Sequence, residues 1–377
     1  MKNNIKAEIV AHSKRANTGE EIITYKLTFP RIILSEVNTY KMLEKNTSSS
    51  RAIPFEKMVE VVEREPFIPL AWMLEHKGMQ GAEYLTNKEY IKQKEEQWLR
   101  ARDKAVTSAK LIVSEIVEEK SLKDGGMRFV YETKIIPNTS LSKNYGNRLL
   151  EPFMWVTQLC TGTRESFEHL FDQRCPIYDI SNDVLRLAGS DTKTSFKSKK
   201  EVIKKFPQLS KKDNLWWLQR NKGQAEIHFM DLAEKMYDAL NESEPDILKE
   251  GEWHIPFQEE IWKSKQAEKL EDVIKMSCAM TARVSYTTIN DNEVLTLEKA
   301  KKIYDKCVES GHFSVVSHCA KCMTDYEYDT WIKGKCEKSE KLNILAIPNE
   351  AKGFNKNLRG FVSLRQYIED KSVFNYE

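Results

Sequence analysis

The apolar segment 147–170, NRLLEPFMWVTQLCTGTRESFEHL, constrains the fold most strongly. Its density of large apolar side chains predicts that it lies at the centre of the core, and Pro152 is typical of a helix start. The whole chain has 377 residues, more than the roughly 250–300 at which a single core stops growing. One large domain with insertions and two domains are both compatible with this length.

The composition excludes disordered and membrane-spanning classes. Hydrophobic residues make up 40% of the chain and charged residues 31%, with a mean hydropathy of −0.58, and no apolar run approaches the roughly 20 residues that a bilayer span needs. The first residues, MKNNIKAEIVAHSK, lack the apolar stretch of a secretory signal. We therefore expect a cytoplasmic protein without a membrane partner.

Charge and cysteine content narrow the partners and the redox state. The net charge is only +2, which argues against a surface that coats nucleic acid, so we expect no nucleic-acid partner. Seven cysteines are an odd number for a long chain without a signal. They are expected to be reduced thiols rather than a disulfide framework.

The hydrophobic pattern places several elements. Residues 22–37 predict a strand pair or one strand broken near Pro30. Helical patterns cover 54–116 and 225–240, and further helices are expected to begin near Leu270 and Thr296. We expect one catalytic domain over 1–377, with surface insertions at the lysine-rich segment 181–222 and at 325–351.

The first candidate site is the polar segment 39–51, which ends in Ser48, Ser49, Ser50 and Arg51. A phosphate or carboxylate ligand needs several short donors and one guanidinium that binds it bidentately, and this run supplies both. Serine also favours helix caps and turns for local reasons, so a cap or solvated loop is the competing interpretation.

The second candidate is the run from His312 to Cys322, with Cys336 further on. His318 and the Cys319–Cys322 spacing suggest half of a zinc site, but a second tight pair is lacking. Buried thiols and one functional histidine are the preferred interpretation, and no metal is expected.

The third candidate is Gln224 with His228, and Arg164 and Arg174 lie upstream. On one helix, Gln224 and His228 would share a face, so both could reach one planar ring, the histidine as its polariser. A capped helix start explains the two residues equally well. Phosphate-loop, dinucleotide-binding and serine-hydrolase patterns are missing from the sequence.

Together these segments resemble the flavin-dependent thymidylate synthases, particularly long phage-type relatives. The family signature runs Arg-His-Arg, two residues, Ser, one residue, Asn-Glu, one residue, Ser, one residue, Arg. Here Asn46, Ser49 and Arg51 match it, whereas Thr39, Tyr40, Lys41, Glu44 and Thr47 replace family residues. Further similar strings are 147–152, 163–174, 224–228, 282–286, 312–318 and 365–366.

The order of these strings differs from that in the family, because 282–286 and 312–318 follow the signature instead of preceding it. The chain therefore looks circularly permuted, which is tolerable when the termini are exposed and close together. The resemblance implies an α+β fold, with a central β-sheet flanked by helices and helical insertions, in a homotetramer whose sites are shared between subunits.

The resemblance also implies a reaction and the residues that carry it. The one-carbon unit of methylenetetrahydrofolate would pass to C5 of dUMP, giving dTMP, with reduction by NADPH through FAD. Ser49, Arg51 and His228 would be catalytic. The nucleotide would be bound by Ser48, Ser49, Ser50, Arg51, Arg164 and Gln366, and the flavin by Tyr40, Lys41, Asn46, Arg174, Gln224 and His318.

Two alternatives follow from the substituted signature. His228 stands where the family has an arginine, and a histidine is only partly charged at neutral pH. One alternative is therefore C5 hydroxymethylation of dUMP or dCMP. The other is a nucleotide-binding relative that has lost the flavin.

Overall fold

A computed structural model describes residues 5–77, 83–123, 129–184, 193–286, 295–329 and 358–369. Its strands are β1 (Lys6–Arg15), β2 (Glu21–Pro30), β3 (Glu44–Thr47), β4 (Ile116–Lys123), β5 (Phe129–Ile136), β6 (Trp155–Thr163), β7 (Tyr178–Asp179), β8 (Ser195–Phe196), β9 (Asp246–Leu248), β10 (Trp253–His254), β11 (Ala320–Cys322) and β12 (Phe361–Ser363). Its helices are α1 (Leu34–Asn38), α2 (Phe55–Arg64), α3 (Lys88–Val113), α4 (Lys143–Leu149), α5 (Arg164–Arg174), α6 (Ser181–Val184), α7 (Lys199–Lys205), α8 (Asn214–Arg220), α9 (Ile227–Asn241), α10 (Gln258–Ser264), α11 (Leu270–Val284), α12 (Leu297–Glu309) and α13 (Leu364–Glu369). Short 3₁₀ turns add residues 31–33, 151–153, 207–211 and 313–316.

The central sheet is mixed and has the strand order β3-β6-β2-β1-β9. All neighbours pair antiparallel except β1 and β9, which are parallel. Strand β6, in the segment predicted to be central, pairs with β2 from Trp155 opposite Pro30 to Thr163 opposite Ile22. The expectation that this segment lies in the core is confirmed for β6.

Helices cover both faces of this sheet. On one face, apolar residues of β2 and β6 pack against α5 and α9, with Phe167 and Phe229 fully buried. On the other face, α10, α11 and α12 enclose a second apolar cluster. The predicted α+β class, with a central sheet flanked by helices, is confirmed, whereas the family fold and its permutation stay predictions.

Three predicted element boundaries are confirmed, and one predicted helical span is wrong. The predicted strand ends at Pro30 and short helices follow it, and α11 and α12 begin at Leu270 and at Leu297, where Thr296 is the N-cap. The predicted helical span 54–116 is wrong between α2 and α3. There the described residues form irregular backbone, because Phe67 N–H donates to Phe153 O and the Phe67 ring packs edge-on against Trp98 and Trp155.

The two predicted insertions are described to different extents. Residues 193–222 carry β8, α7 and α8, and their apolar side chains, Trp217 among them, form a small buried cluster with Tyr178 and Ile180. Of segment 325–351, only the helical residues 325–329 are described, and the remainder lies outside the described residues.

Candidate functional site

Asn46, in β3, is the point at which three separate segments meet. Its Nδ2 donates to Thr281 O of α11 at 2.7 Å, and its Oδ1 accepts from Ser285 Oγ and from Ser314 Oγ, each at 3.3 Å. Ser49 N–H also donates to Ser285 O at 2.9 Å. The strings 39–51, 282–286 and 312–318, which the resemblance singled out, are therefore in direct contact.

The serine loop, residues 48–51, leaves the end of β3 and is fixed by the protein. Ser48 Oγ accepts from Thr157 N–H at 3.1 Å, and Ser50 Oγ donates to Glu151 Oε1 at 2.7 Å. Asn147 Nδ2 donates to Ser50 O at 2.6 Å and to Ile53 O at 3.0 Å. The loop is thus held in one shape, and the Ser50 hydroxyl proton is already in use.

A cavity of about 490 Å³ is lined by Glu151, the residue that holds Ser50 of the serine loop. Its lining includes Arg31, Asn38, Arg148 and Glu151, and Arg31 Nη2 lies 2.9 Å from the Glu151 Oε1 that also accepts from Ser50. Arg148 and Arg51 are exposed, and neither makes an ion pair with a described residue. Sequence reasoning missed Arg148, although it lies in the string 147–152 that resembles the family.

Arg164 and Gln366 are placed differently from the serine loop. Arg164 follows the far end of β6, seven residues beyond Thr157, which corresponds to roughly 23 Å along a strand. There it pairs with Glu21 at 2.5 Å and with Glu168 at 3.0 Å. Within one chain, Arg164 and the serine loop are therefore not brought together.

Gln366 lies at the start of α13, beside the 313–316 turn that contacts Asn46. Its side-chain oxygen accepts from Ser363 N–H at 2.9 Å, and its own N–H donates to Ser363 Oγ at 3.4 Å. This reciprocal pair is a helix cap, and Gln366 itself is 6% exposed.

The sheet separates the residues mapped to the flavin. Successive strand residues point to opposite faces, so Asn46 faces α11, whereas Lys45 faces the Tyr40 backbone, to which its ammonium donates. Arg174 lies on the Tyr40 side and His318 on the Asn46 side, where its Nδ1 bonds Thr161 Oγ1 at 2.7 Å. These residues do not converge within one chain.

The burial of the mapped flavin residues differs as well. Tyr40, Asn46 and His318 are 7%, 6% and 0% exposed. Lys41 and Gln224 are exposed, and Arg174 is half-buried. Gln224 precedes α9, which begins at Ile227 after the Glu226 N-cap, so the prediction that Gln224 and His228 share a helix face is wrong. The Glu226 side chain accepts from the N–H groups of His228 and Phe229, so the helix begins after Glu226 and does not extend back to Gln224.

Charged and aromatic groups cluster around Arg174. Its guanidinium lies 5.6 Å from the Tyr40 ring centroid and 5.5 Å from that of Phe229, and its Nε is buried without a hydrogen-bond partner among the described residues. Burial and the Glu226 carboxylate raise the pKa of Glu36, and Arg174 opposes that shift. Arg174 therefore lies close to the start of α9, through its contact with Phe229.

His228 is buried at the start of α9, with both ring nitrogens engaged. Nδ1 lies 2.5 Å from Glu226 Oε1, and Nε2 lies 2.9 Å from Leu70 N, which donates to it. This pattern fixes the neutral tautomer with its proton on Nδ1. The Phe67 ring packs edge-on at 5.0 Å. A contact of His228 with a pyrimidine requires Leu70 to move.

A buried chain of polar groups crosses the sheet and was not foreseen. Ser13 Oγ bonds His254 Nδ1 at 2.9 Å, His254 Nε2 bonds Thr24 Oγ1 at 2.8 Å, and Thr24 Oγ1 bonds Thr161 Oγ1 at 2.7 Å. His318 continues it from Thr161, and its Nε2 is buried without a partner among the described residues. Burial lowers the pKa of each histidine to about 3. Only strand pairing aligns these residues, so no local pattern could reveal them.

Cysteines and groups of metal-ligating side chains form no further centre among the described residues. The six described cysteines, 160, 175, 278, 307, 319 and 322, are free thiols, and Cys336 lies outside the described residues. No group of three or more metal-ligating side chains occurs within the described ranges. In the same part of the chain, no helix combines the length and the apolar character that crossing a bilayer requires.

Comparisons with known proteins complete this description. No protein-family model and no curated protein matches the chain. Two solved structures of a UMP/dUMP methylase, PolB from Streptomyces cacaoi, are similar to it. The form bound with 5-Br dUMP has a TM-score of 0.38 and 10% identity, over 64% of this chain and 91% of that one. The form bound with 5-Br UMP has a TM-score of 0.33 and 11% identity, over 46% and 78%. Likeness of this size assigns neither a fold nor an activity to this chain.

Proposed function

We propose that this chain transfers a one-carbon unit from methylenetetrahydrofolate to C5 of a pyrimidine deoxynucleotide, with dUMP as substrate and dTMP as product. The contact of three resembling strings at Asn46 carries the proposal. Ser285 and Ser314 lie 239 and 268 residues from Asn46 along the chain, yet both bond its Oδ1. Segments that resemble one enzyme family thus meet at one place, although their order along the chain differs from that in the family.

The cavity beside the serine loop is the proposed nucleotide pocket. Its volume of about 490 Å³ lies within the usual range for small-ligand sites. Arg148 lines the cavity, and Arg51 ends the neighbouring serine loop; both are exposed and make no ion pair with a described residue, and guanidinium groups bind phosphate bidentately. Arg31 also lines the cavity, where the Glu151 carboxylate pairs with it and offsets its charge. The phosphate is therefore assigned to this end of the site.

His228 is the proposed ring polariser, because C5 attacks as a nucleophile only if charge on the pyrimidine is stabilised. Glu226 fixes the ring orientation through Nδ1. The Nε2 lone pair now accepts from Leu70 N–H. On this proposal, nucleotide binding displaces Leu70, and Nε2 takes up a proton to donate to the ring.

The methylation also needs two electrons, which NADPH supplies through bound FAD. Tyr40, Asn46 and His318 do not fit a flavin contact, because each is buried and held by the chain's own residues. Lys41, Arg174 and Gln224 are more accessible, and the unpartnered Arg174 Nε suits an acceptor. We assign the flavin to these three residues, at a boundary between subunits of a homotetramer.

Hydroxymethylation is the second candidate, and the misfit of the flavin residues favours it. Methylenetetrahydrofolate carries its one-carbon unit at the oxidation level of formaldehyde. Adding this unit and one water to C5 gives a hydroxymethyl group and tetrahydrofolate with no electron donor. An active site that has lost flavin contacts can still catalyse this hydroxymethylation.

Mass analysis of the products tests the proposal. The protein is incubated with methylenetetrahydrofolate and dUMP or dCMP, with and without FAD and NADPH. A gain of a methyl group on dUMP that depends on both FAD and NADPH supports the first candidate, and a hydroxymethyl gain without them supports the second. Unchanged nucleotides in every mixture, together with no dUMP binding in calorimetry, would overturn the assignment.

A further inference from the structure

Positive charge is concentrated in residues 193–222, the lysine-rich module. This stretch contains ten Lys and Arg residues and two carboxylates, a formal charge of +8. The rest of the chain has 49 cations and 55 carboxylates, which gives −6. The small net charge of the whole chain therefore conceals one strongly basic segment.

The module is folded, so its lysines are displayed on a defined surface. Phe196, Val202, Phe206, Leu209 and Trp217 are each at most 8% exposed and pack together. Ser198 caps α7 and Asp213 caps α8 through their side-chain oxygens. The basic surface is thus a fixed feature rather than a flexible tail.

Four lysines of the module are exposed and make no close ion pair with a described carboxylate, although Lys204 and Lys205 share a cavity with Glu201, Asp238 and Glu242. Lys204, Lys205, Lys211 and Lys212 make no ion pair with any described residue. Both carboxylates of the module are engaged elsewhere: Asp213 accepts from Trp216 N–H, and Glu201 accepts from Lys197 N–H and Tyr237 Oη. In each of the sequence pairs Lys204–Lys205 and Lys211–Lys212, the two positive charges repel each other. A bound polyanion would relieve that repulsion.

We propose that the lysine-rich module binds the phosphate backbone of nucleic acid without regard to sequence. Nine of its ten cations are lysines, which act as point charges rather than as bidentate readers of bases. The face of Trp216 is covered by Arg220, whose guanidinium carbon is 3.8 Å from the ring centroid. Arg220 therefore competes with a base for that face of the ring.

A membrane surface is a poorer match than nucleic acid. Interfacial segments normally insert large apolar side chains. Within the described part of the chain, none of the exposed large hydrophobic residues falls in 193–222. The module offers charge without an apolar anchor.

Fluorescence anisotropy with a labelled duplex DNA of about 30 base pairs tests this proposal on the full chain. If four lysines contact phosphates, log K falls against log salt with a slope of about −3.6, so binding weakens on the order of 100-fold between about 50 and 200 mM KCl. Replacing Lys204, Lys205, Lys211 and Lys212 with Gln should abolish this binding. The matched control replaces four exposed lysines of α3, Lys88, Lys92, Lys94 and Lys104, with Gln and should bind like the parent.

A second variant guards against misfolding of the first. Lys204→Gln with Lys211→Gln removes two exposed charges that contact no ring, and it should reduce the salt slope by about 2. The proposal is overturned by failure of the parent to bind DNA at low salt, by equal loss in the α3 control, or by an unchanged slope in the double variant. Tighter binding to phosphatidylserine vesicles than to DNA would also overturn it, in favour of a membrane surface.

Discussion

Arg51 and Arg148 are the side chains on which nucleotide affinity should depend most. Both are exposed beside the serine loop, and the loop itself is held by Thr157, Glu151 and Asn147. A rigid loop with an accessible guanidinium loses little conformational freedom when it binds an anion. Little of the free energy gained by binding a phosphate should therefore be lost to ordering the loop.

We expect Arg51→Ala to weaken dUMP binding by about 1.5–3 kcal/mol, the usual contribution of a charge-assisted hydrogen bond, and Arg148→Ala to have a similar effect. Titration calorimetry measures both. Arg100→Ala, which removes an exposed arginine of α3, is the control and should leave the affinity unchanged. Parent-like affinity in both Arg51 and Arg148 variants would remove the phosphate from this end of the site.

The sequence indicated some of these residues and not others, for physical reasons. The run of serines before Arg51 is a local donor pattern, so it could be recognised without a fold. Arg148 became a candidate only when the chain placed α4 beside that run. Gln224 was misplaced because Glu226 caps α9 two residues after it, and periodicity alone does not locate a cap.

Among the elements, α8 shows how a lysine-rich segment can still be packed. Trp217 is 5% exposed, and its ring centroid lies 5.2 Å from that of Tyr178. The neighbouring Trp216 is half-exposed and lies under Arg220. Trp217 is therefore buried within the apolar cluster, whereas Trp216 is only partly buried and packs against its edge.

We therefore expect Trp217→Ala to destabilise the module by about 3–5 kcal/mol and Trp216→Ala by roughly 1 kcal/mol. Trypsin under native conditions measures this difference, because the module contains many lysines and is cut when it opens. Cleavage within 193–222 should accelerate at least about 100-fold for Trp217→Ala only. Rapid cleavage of the parent at this segment would instead support the earlier expectation of a loosely exposed insertion.

Elements with strong local signals were predictable, and those that depend on pairing were not. Pro30 ends β2, and Thr296 caps α12, as their residue types require. Strand β1 has a polar sequence, and it is a strand because β2 and β9 pair with it on either side. The residues after α2 have a helical pattern, but the Phe67 ring packs against Trp98 and Trp155, and the Phe67 N–H donates to Phe153 O.

For the whole molecule, the separation of Arg164 from the serine loop has a consequence for assembly. The two lie at opposite ends of β6, so one nucleotide touched by both must lie between two chains. This requirement agrees with the expected homotetramer, which stays a prediction.

Mixing of variants tests that arrangement. At dUMP concentrations well below saturation, Arg51→Ala and Arg164→Ala should each have strongly reduced activity alone. After the two are unfolded together and refolded, hybrid assemblies should recover a fraction of parent activity, because some sites take Arg51 from one chain and Arg164 from another. Mixtures that are no more active than the separate variants, while forming hybrids of the expected mass, would remove Arg164 from the site.

The buried histidines should make the stability of the whole fold sensitive to acid. Burial lowers the pKa of His254 and His318 to about 3, whereas an unfolded histidine titrates near 6.5. Between these values the unfolded chain binds protons that the folded chain does not. Stability is therefore complete above pH 6.5 and declines as the pH falls, by up to about 1.4 kcal/mol per pH unit for each histidine.

The two histidines together should remove about 4 kcal/mol from the free energy of unfolding between pH 7 and pH 5, with about 2 kcal/mol from each. His318→Gln keeps a hydrogen-bonding group near Thr161 but cannot titrate, so its loss over this range should be smaller by about 2 kcal/mol. Urea unfolding at both pH values measures this difference.

The matched control is His169→Gln, because His169 is exposed, and it should lose as much stability as the parent. Carboxylates that titrate in the same range affect all three proteins alike. If His318→Gln has the same pH dependence as the parent, His318 is protonated in the folded state, and the buried chain from Ser13 to His318 must then open to water before the protein unfolds.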